Sequence, residues 1–184
     1  MDTLPVLYTQ SLLALAAYAD LVPGAPTIAA LTRAGMSDRQ AVDFISNWLV
    51  VAQYTDASGA SATVFQEKSS GKRYLAIRGT ESPGDFNADY ILALGFPSYL
   101  NPQFIRLQTQ VQTWLANGTL TNGFTIAGHS LGGYLATAIG TWFRSQSGPV
   151  FTYNAPGIGG PIGNALDAFR AAFGLGTMPL VSGC

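Results

Sequence analysis

Gly128, His129, Ser130, Leu131, Gly132 and Gly133 place a serine between glycines at the spacing of a nucleophile elbow. Such an elbow is a sharp strand-to-helix turn that lifts a hydroxyl clear of the backbone. A serine hydroxyl is a poor nucleophile near neutral pH, and it attacks a carbonyl only when a base, usually a histidine oriented by a carboxylate, removes its proton. The chain holds one histidine, His129 itself. A neighbour on so tight a turn cannot easily swing round to face Ser130. The chemistry implied at Ser130 is that of a serine hydrolase, with its base missing.

A bare Gly-x-Ser-x-Gly also arises by accident in a chain rich in glycine and serine, so the flanking elements decide its weight. Residues 124–127 are a short apolar strand, and helical spacing resumes over 134–144. Strand, elbow and helix stand in the required order. Upstream, residues 62–67 and 73–77 are β-rich runs around a Ser-Ser-Gly-Lys turn and predict a hairpin. Ser37 with Gln40 is a capping box that predicts a helix to about residue 54, after a Pro/Gly break at 22–26. Asn101 and Pro102 open a helix that Gly118 closes, with Phe104, Leu107, Val111, Trp114 and Leu115 on one face. A strand is expected at 150–153, a glycine-rich loop at 154–160 and a helix at 164–173. A short helical or extended piece is expected near 86–94. Strands alternating with helices predict an α/β fold: a mostly parallel sheet with helices on both faces and a site at the strands' C-terminal ends.

Composition narrows the classes. With 184 residues, 48% of them hydrophobic and 10% charged, the chain is long enough for one domain with a sizeable core. A net charge of −1 with scattered charges excludes steering of a nucleic acid. Cys184 is the single cysteine, so no internal disulfide forms. Residues 6–19 are apolar but lack a positive n-region, which predicts a helix of the fold instead of a signal peptide. No apolar run reaches the roughly 18 to 20 residues that span a bilayer, and a soluble protein is expected.

Three stretches resemble the class 3 lipases of the α/β-hydrolase fold. The first is Leu75, Ala76, Ile77, Arg78, Gly79, Thr80, followed by Phe86, Asn87, Ala88, Asp89, which is similar to an Arg-Gly-Thr/Ser signature and a lid-like segment. The second is the Gly-His-Ser-Leu-Gly-Gly core within residues 125–136. The third, Thr152, Tyr153, Asn154, Ala155, Pro156, Gly157, then Gly160 and Asn164, matches loosely. The resemblance implies an ester hydrolase of lipid substrates working through an acyl-enzyme on Ser130. The N–H of Leu131 and the residue at Thr80 would supply the oxyanion hole. Secretion would also fit the family. No cofactor is implied, and the partners expected are a small ester or lipid and transient contact with a lipid interface.

The other acids carry less. Asp85 and Asp89 lie four apart without a third ligand, so no metal site is expected and the pair reads as solvated or hinging a lid. Asp167 is the only acid after Ser130 and reads as a surface helix residue, and Arg78 reads as bracing a loop. In the class 3 pattern the triad acid and base follow later strands, and residues 177–181 look like the start of one. The expectation is therefore one α/β-hydrolase-like domain over 1–184, the N-terminal portion of a longer enzyme and nearly inert by itself. Two other readings share these residues. One is a non-catalytic lipid-binding module using the apolar residues at 91–96 and 99–100; the other is an acyltransferase or thioesterase on the same elbow.

Overall fold

Capping side chains or a proline set the starts of the first four described helices. The computed structural model describes residues 3–79 and 101–155. Helix α1 (Leu4–Ala16) starts with a proline in its first turn, where a missing N–H costs nothing. Short α2 (Ile28–Arg33) is capped by the Thr27 hydroxyl, and α3 (Asp38–Asn47) by the Ser37–Gln40 capping box read from the sequence. Three strands follow: β1 (Trp48–Thr55), β2 (Ser61–Glu67) and β3 (Arg73–Ile77). At the start of α4 (Pro102–Ala116), Asn101 Oδ1 accepts the N–H groups of Gln103 and Phe104 at 2.8 and 3.3 Å. The last described elements are β4 (Phe124–His129), α5 (Leu131–Trp142) and β5 (Ser147–Tyr153).

The five strands form one sheet in sequence order, β1-β2-β3-β4-β5. β1/β2 and β2/β3 pair antiparallel, β3/β4 and β4/β5 parallel. Side chains alternate across a pleated strand, so each face builds its own core. Val64, Leu75, Ile77, Phe124 and Ile126 pack beneath α4 and α5, meeting Leu107, Val111, Leu135 and Ile139. Phe65, Ala76 and Ala127 turn to the other face and meet Leu13, Leu31, Phe44 and Trp48 of the first three helices and β1. On that face Phe44 lies edge-on to Phe65 and stacks with Trp48. The sheet is thus covered on both faces, as the α/β reading required.

Two details differ from expectation. The helix opened by Ser37 stops at Asn47 instead of running to residue 54, because Trp48 onward pairs with β2, Val50 opposite Phe65 and Gln53 opposite Thr63. Continuing the helix would forfeit that ladder and the Phe44–Trp48–Phe65 contacts. This added strand extends the antiparallel arm begun by the β2/β3 hairpin, so the described sheet is mixed and its parallel part begins only at β3. The expected piece at 86–94, the helix at 164–173 and the strand start at 177–181 lie outside the described residues, as does Cys184. Among the described residues no helix is long and apolar enough to cross a membrane.

The β1–β2 turn is organised by Asp56. Its carboxylate accepts from the Tyr54 hydroxyl at 2.8 Å and from the Ser58 N–H and hydroxyl at 2.9 and 2.6 Å. Arg106 of α4 stands 3.6 Å away. Burial pushes the Asp56 carboxyl up, but the hydrogen bonds from Ser58 and Tyr54 and the Arg106 charge outweigh it and hold the group below its ordinary value. A carboxyl depressed in the folded state stabilises above its unfolded pKa, near 3.9, and loses that contribution as pH falls through the folded value. Asp56→Ala should therefore cost about 1 kcal/mol at pH 7, roughly a 2 to 4 °C drop in Tm. Thermal melts across pH should show the difference from wild type closing as pH falls below the ordinary carboxylate value and through the lowered folded one.

Candidate active site

Ser130 sits where β4 ends and α5 begins, with φ 56° and ψ −129°. A non-glycine residue rarely adopts a positive φ, and strain of order 1–3 kcal/mol persists only when the surroundings over-determine it. Three contacts hold it here. The Ser130 N–H donates to Tyr153 O of β5 at 2.9 Å, and Ser130 O accepts from the N–H groups of Gly133 and Tyr134 at 2.9 and 3.3 Å. The side chain is buried, 7% exposed.

The glycines of the motif explain themselves by contact. A Cβ on Gly128 would lie 2.3 Å from Gly132 O, and one on Gly132 would lie 2.3 Å from Ile77 O. A Cβ on Gly133 would lie 2.7 Å from the Ala155 Cβ, and one on Gly79 would lie 2.7 Å from His129 O. The first turn of α5 is thus pressed onto the ends of β3 and β4 with no room for side chains. Because Ser130 O already takes the Gly133 and Tyr134 donors, Leu131 and Gly132 supply the first N–H groups of α5, for which a helix has no internal acceptor. Those groups, at the positive end of the helix dipole, can receive developing negative charge beside Ser130. The Leu131 side chain points the other way, into the core under α5.

His129 does not face the serine. Strand alternation puts Thr125, Ala127 and His129 on the face covered by α1, and there His129 Nδ1 lies 3.2 Å from the Tyr18 hydroxyl. Tyr18 also accepts the Gly79 N–H at 3.2 Å. Tyr18 is the residue sequence reasoning passed over: it lies in a segment weighed only as a helix or leader, 111 residues from His129. The parity of β4 was the one available signal, since it assigns His129 to the α1 face. Arg78, read as a loop brace, donates its N–H to Ser61 O of β2 at 3.0 Å. A small pocket of about 140 Å³ lies beside this face, lined by Ser11, Ala14, Leu15, Tyr18, His129 and Tyr153. A wider groove of about 700 Å³ near Leu115, Trp142 and Phe143 lies at the far ends of α4 and α5 and touches none of these residues.

Thr80 lies outside the described residues, directly after Gly79, and so do Asp85, Asp89 and Asp167. Among the described residues no group of three His, Cys, Asp or Glu side chains could hold a metal ion.

The family model of the Tle-like phospholipase domain matches residues 9–164. The chain belongs to that family. Solved structures agree on the fold. The lipase of Rhizopus microsporus var. chinensis is 15% identical with a TM-score of 0.52, over 84% of this chain and 59% of that one. The Lip2 lipase of Yarrowia lipolytica is 19% identical with a TM-score of 0.58, over 82% and 58%. The Rhizomucor miehei lipase is 16% identical with a TM-score of 0.52, over 89% and 56%. The chain thus spans under two thirds of the length of these lipases. No curated protein matches it. The class 3 lipase resemblance and the α/β-hydrolase fold are both borne out.

The contact distances give a direct test of the elbow. Gly132→Ala drives a methyl into the backbone of Ile77 and Arg78, which cannot yield as a side-chain tip can, and should destabilise by about 3 kcal/mol or more. Gly140→Ala meets only the Val150 Cγ2 methyl at close range and should cost less. Urea midpoints that rank the two variants equally would contradict this account of the turn.

Proposed function

We propose that this chain carries the nucleophile side of a lipase-type hydrolase acting on the carboxylic esters of lipids. The family description points to phospholipids as the substrate class. The strained backbone of Ser130 carries the reading, because a turn serving connection alone has no reason to retain that strain. In this reading Ser130 Oγ bonds to the carbonyl carbon while its proton passes to a base. The carbonyl oxygen takes up the electron pair and is met by the Leu131 N–H and by Thr80. The pair then returns, the C–O bond to the leaving group breaks, and the alkoxide departs with the proton. Water attacks the resulting acyl-Ser130 in the second half and releases the acid.

The base is not His129, which is engaged with Tyr18 on the α1 face. It is the only imidazole in the 184 residues, so the reading locates the triad histidine, and the acid with it, outside them. The 1–184 segment then forms one α/β-hydrolase-like unit bearing the nucleophile and the oxyanion donors. The lipid-binding alternative draws on residues 91–96 and 99–100, which lie outside the described residues. An acyltransferase or thioesterase would use the same acyl-enzyme and differ in the acceptor or the ester cleaved.

Loss of the triad histidine costs about 10⁶-fold in turnover in a serine hydrolase where it was removed. The 184-residue chain should accordingly react with a fluorophosphonate probe only slowly, at Ser130, and not at all as Ser130→Ala. Intact-mass spectrometry over time reads this out. Labelling as fast as that of a complete triad enzyme would overturn the placement of the base, and labelling that survives Ser130→Ala would overturn the nucleophile.

A further inference from the structure

The turn that ends α4 carries a motif that the ester chemistry does not use. Asn117, Gly118 and Thr119 form an Asn-x-Thr sequence with no proline between, the acceptor pattern for an N-linked glycan. Of the seven asparagines in the chain, only Asn117 has a serine or threonine two residues on. Such a glycan is added before the chain folds, so what the fold decides is whether the sugar can stay outside. Here it can. Asn117 and Gly118 are exposed, and a Cβ placed on Gly118 would meet nothing within 4 Å beyond its chain neighbours. The backbone beneath is fixed: the Asn117 N–H donates to Thr113 O at 3.0 Å, the Leu120 N–H donates to Trp114 O at 2.9 Å, and Gly118 takes φ 78°, which an L side chain rarely adopts. The Thr119 N–H donates to Asn117 Oδ1 at 3.0 Å, and no hydrogen bond among the described residues holds Asn117 Nδ2.

Beside this turn lies the groove at the ends of α4 and α5. Ala116 and Leu120, on either side of the motif, both line it. Its volume of about 700 Å³ falls in the range of small-ligand sites, roughly 300–1,000 Å³. Gln112, Thr121, Asn122, Gln146 and Trp142 also line it, and among the described residues no charged side chain does. Amides and a hydroxyl can exchange hydrogen bonds with sugar hydroxyls, while an indole offers a flat apolar surface to the C–H face of a pyranose. Trp142 is 37% exposed even with Phe104 packed edge-on to it, centroids 6.1 Å apart. A large ring left open beside uncharged polar groups suits a ligand that is apolar on one face and hydroxylated at its edge.

We propose that Asn117 is an N-glycosylation site and that the first sugars of its glycan lie in this groove against Trp142. The donor is a polyprenyl-diphosphate-linked oligosaccharide, met by chains that enter the secretory route. Asn117 Nδ2 loses a proton to a base of the transferase and bonds to the anomeric carbon of the first sugar. The bond from that carbon to the diphosphate oxygen breaks, and the lipid diphosphate leaves with the electron pair. Ser130 stands before the first residue of α5 and Trp142 is its last, 12 residues or about 18 Å along the axis. The glycan therefore leaves the elbow open, and the inference does not depend on the reading of Ser130.

The full 184-residue chain, secreted from a eukaryotic host behind a cleavable leader, should carry one glycan that peptide-N-glycosidase removes, read by intact mass. Thr119→Ala, which keeps the asparagine, and Asn117→Gln should both lack it. Should the chain fold poorly and fail to be secreted, translation with microsomes reads the acceptor without folding: the wild type should shift by one step on a gel and the two variants should not. Trp48 and Trp114 are 5% and 4% exposed, so acrylamide quenching reports on Trp142. The glycosylated chain should be quenched less than the same chain made in a bacterial host and should melt about 2 to 4 °C higher. In Trp142→Ala the two forms should melt together. An unmodified wild-type chain, secreted or in microsomes, would overturn the site. A glycan that leaves quenching and melting unchanged would overturn its seat in the groove, as would a gain in Tm that survives Trp142→Ala.

Discussion

Close backbone approach at one corner of the sheet governs everything around it. Gly128 faces Gly132, Gly132 lies on Ile77, Arg78 and Gly79, and Gly133 meets Thr152 and Ala155. These contacts bring the C-terminal ends of β3, β4 and β5 to the first turn of α5. Such an approach is open only to residues without a Cβ, and it is what keeps Ser130 in a conformation that the isolated peptide would leave. Were the corner looser, the serine would relax to negative φ, and its hydroxyl and the Leu131 N–H would no longer be presented together.

The two cores secure that corner from opposite sides. Beneath α4 and α5, Ile77, Ile126 and Leu131 continue the packing up to the elbow. On the other face α1 reaches Ala76 and Ala127, and Tyr18 carries the contact on to His129 and Gly79. Burial on both sides accompanies the apolar runs Leu75, Ala76, Ile77 of β3 and Ile126, Ala127 of β4, while β1 retains polar positions such as Gln53. Gln53 spans β1, β2 and the chain after α1: its amide donates to Thr63 and to Ala19 O, and its Oε1 accepts the Leu21 N–H.

What was legible follows from range. The Ser37–Gln40 box, the Asn101–Pro102 start, the hairpin around residues 69–72 and the strand-elbow-helix order all depend on residues within about five positions of one another, and each stands where the sequence put it. The β1 strand did not show, because Ala41, Phe44 and Trp48 continue a helical spacing. Only the partner strand, 6 to 19 residues on, makes extension the better use of residues 48–55. The Tyr18–His129–Gly79 link spans 111 and 61 residues and leaves no local trace.

The sequence by itself determined that a serine stands on a glycine-lined turn, that the only imidazole adjoins it, and that the chain resembles the class 3 lipases. Glycine and serine spacing encode the turn because its geometry is set by local sterics. Which way His129 faces was decided by tertiary structure, since a pleated strand gives alternate residues to opposite faces and only the packing of α1 settles what each face meets. The contradiction of a serine beside a histidine that cannot serve it resolves in three dimensions: the imidazole belongs to the α1 side of the sheet, and the serine to the corner above it.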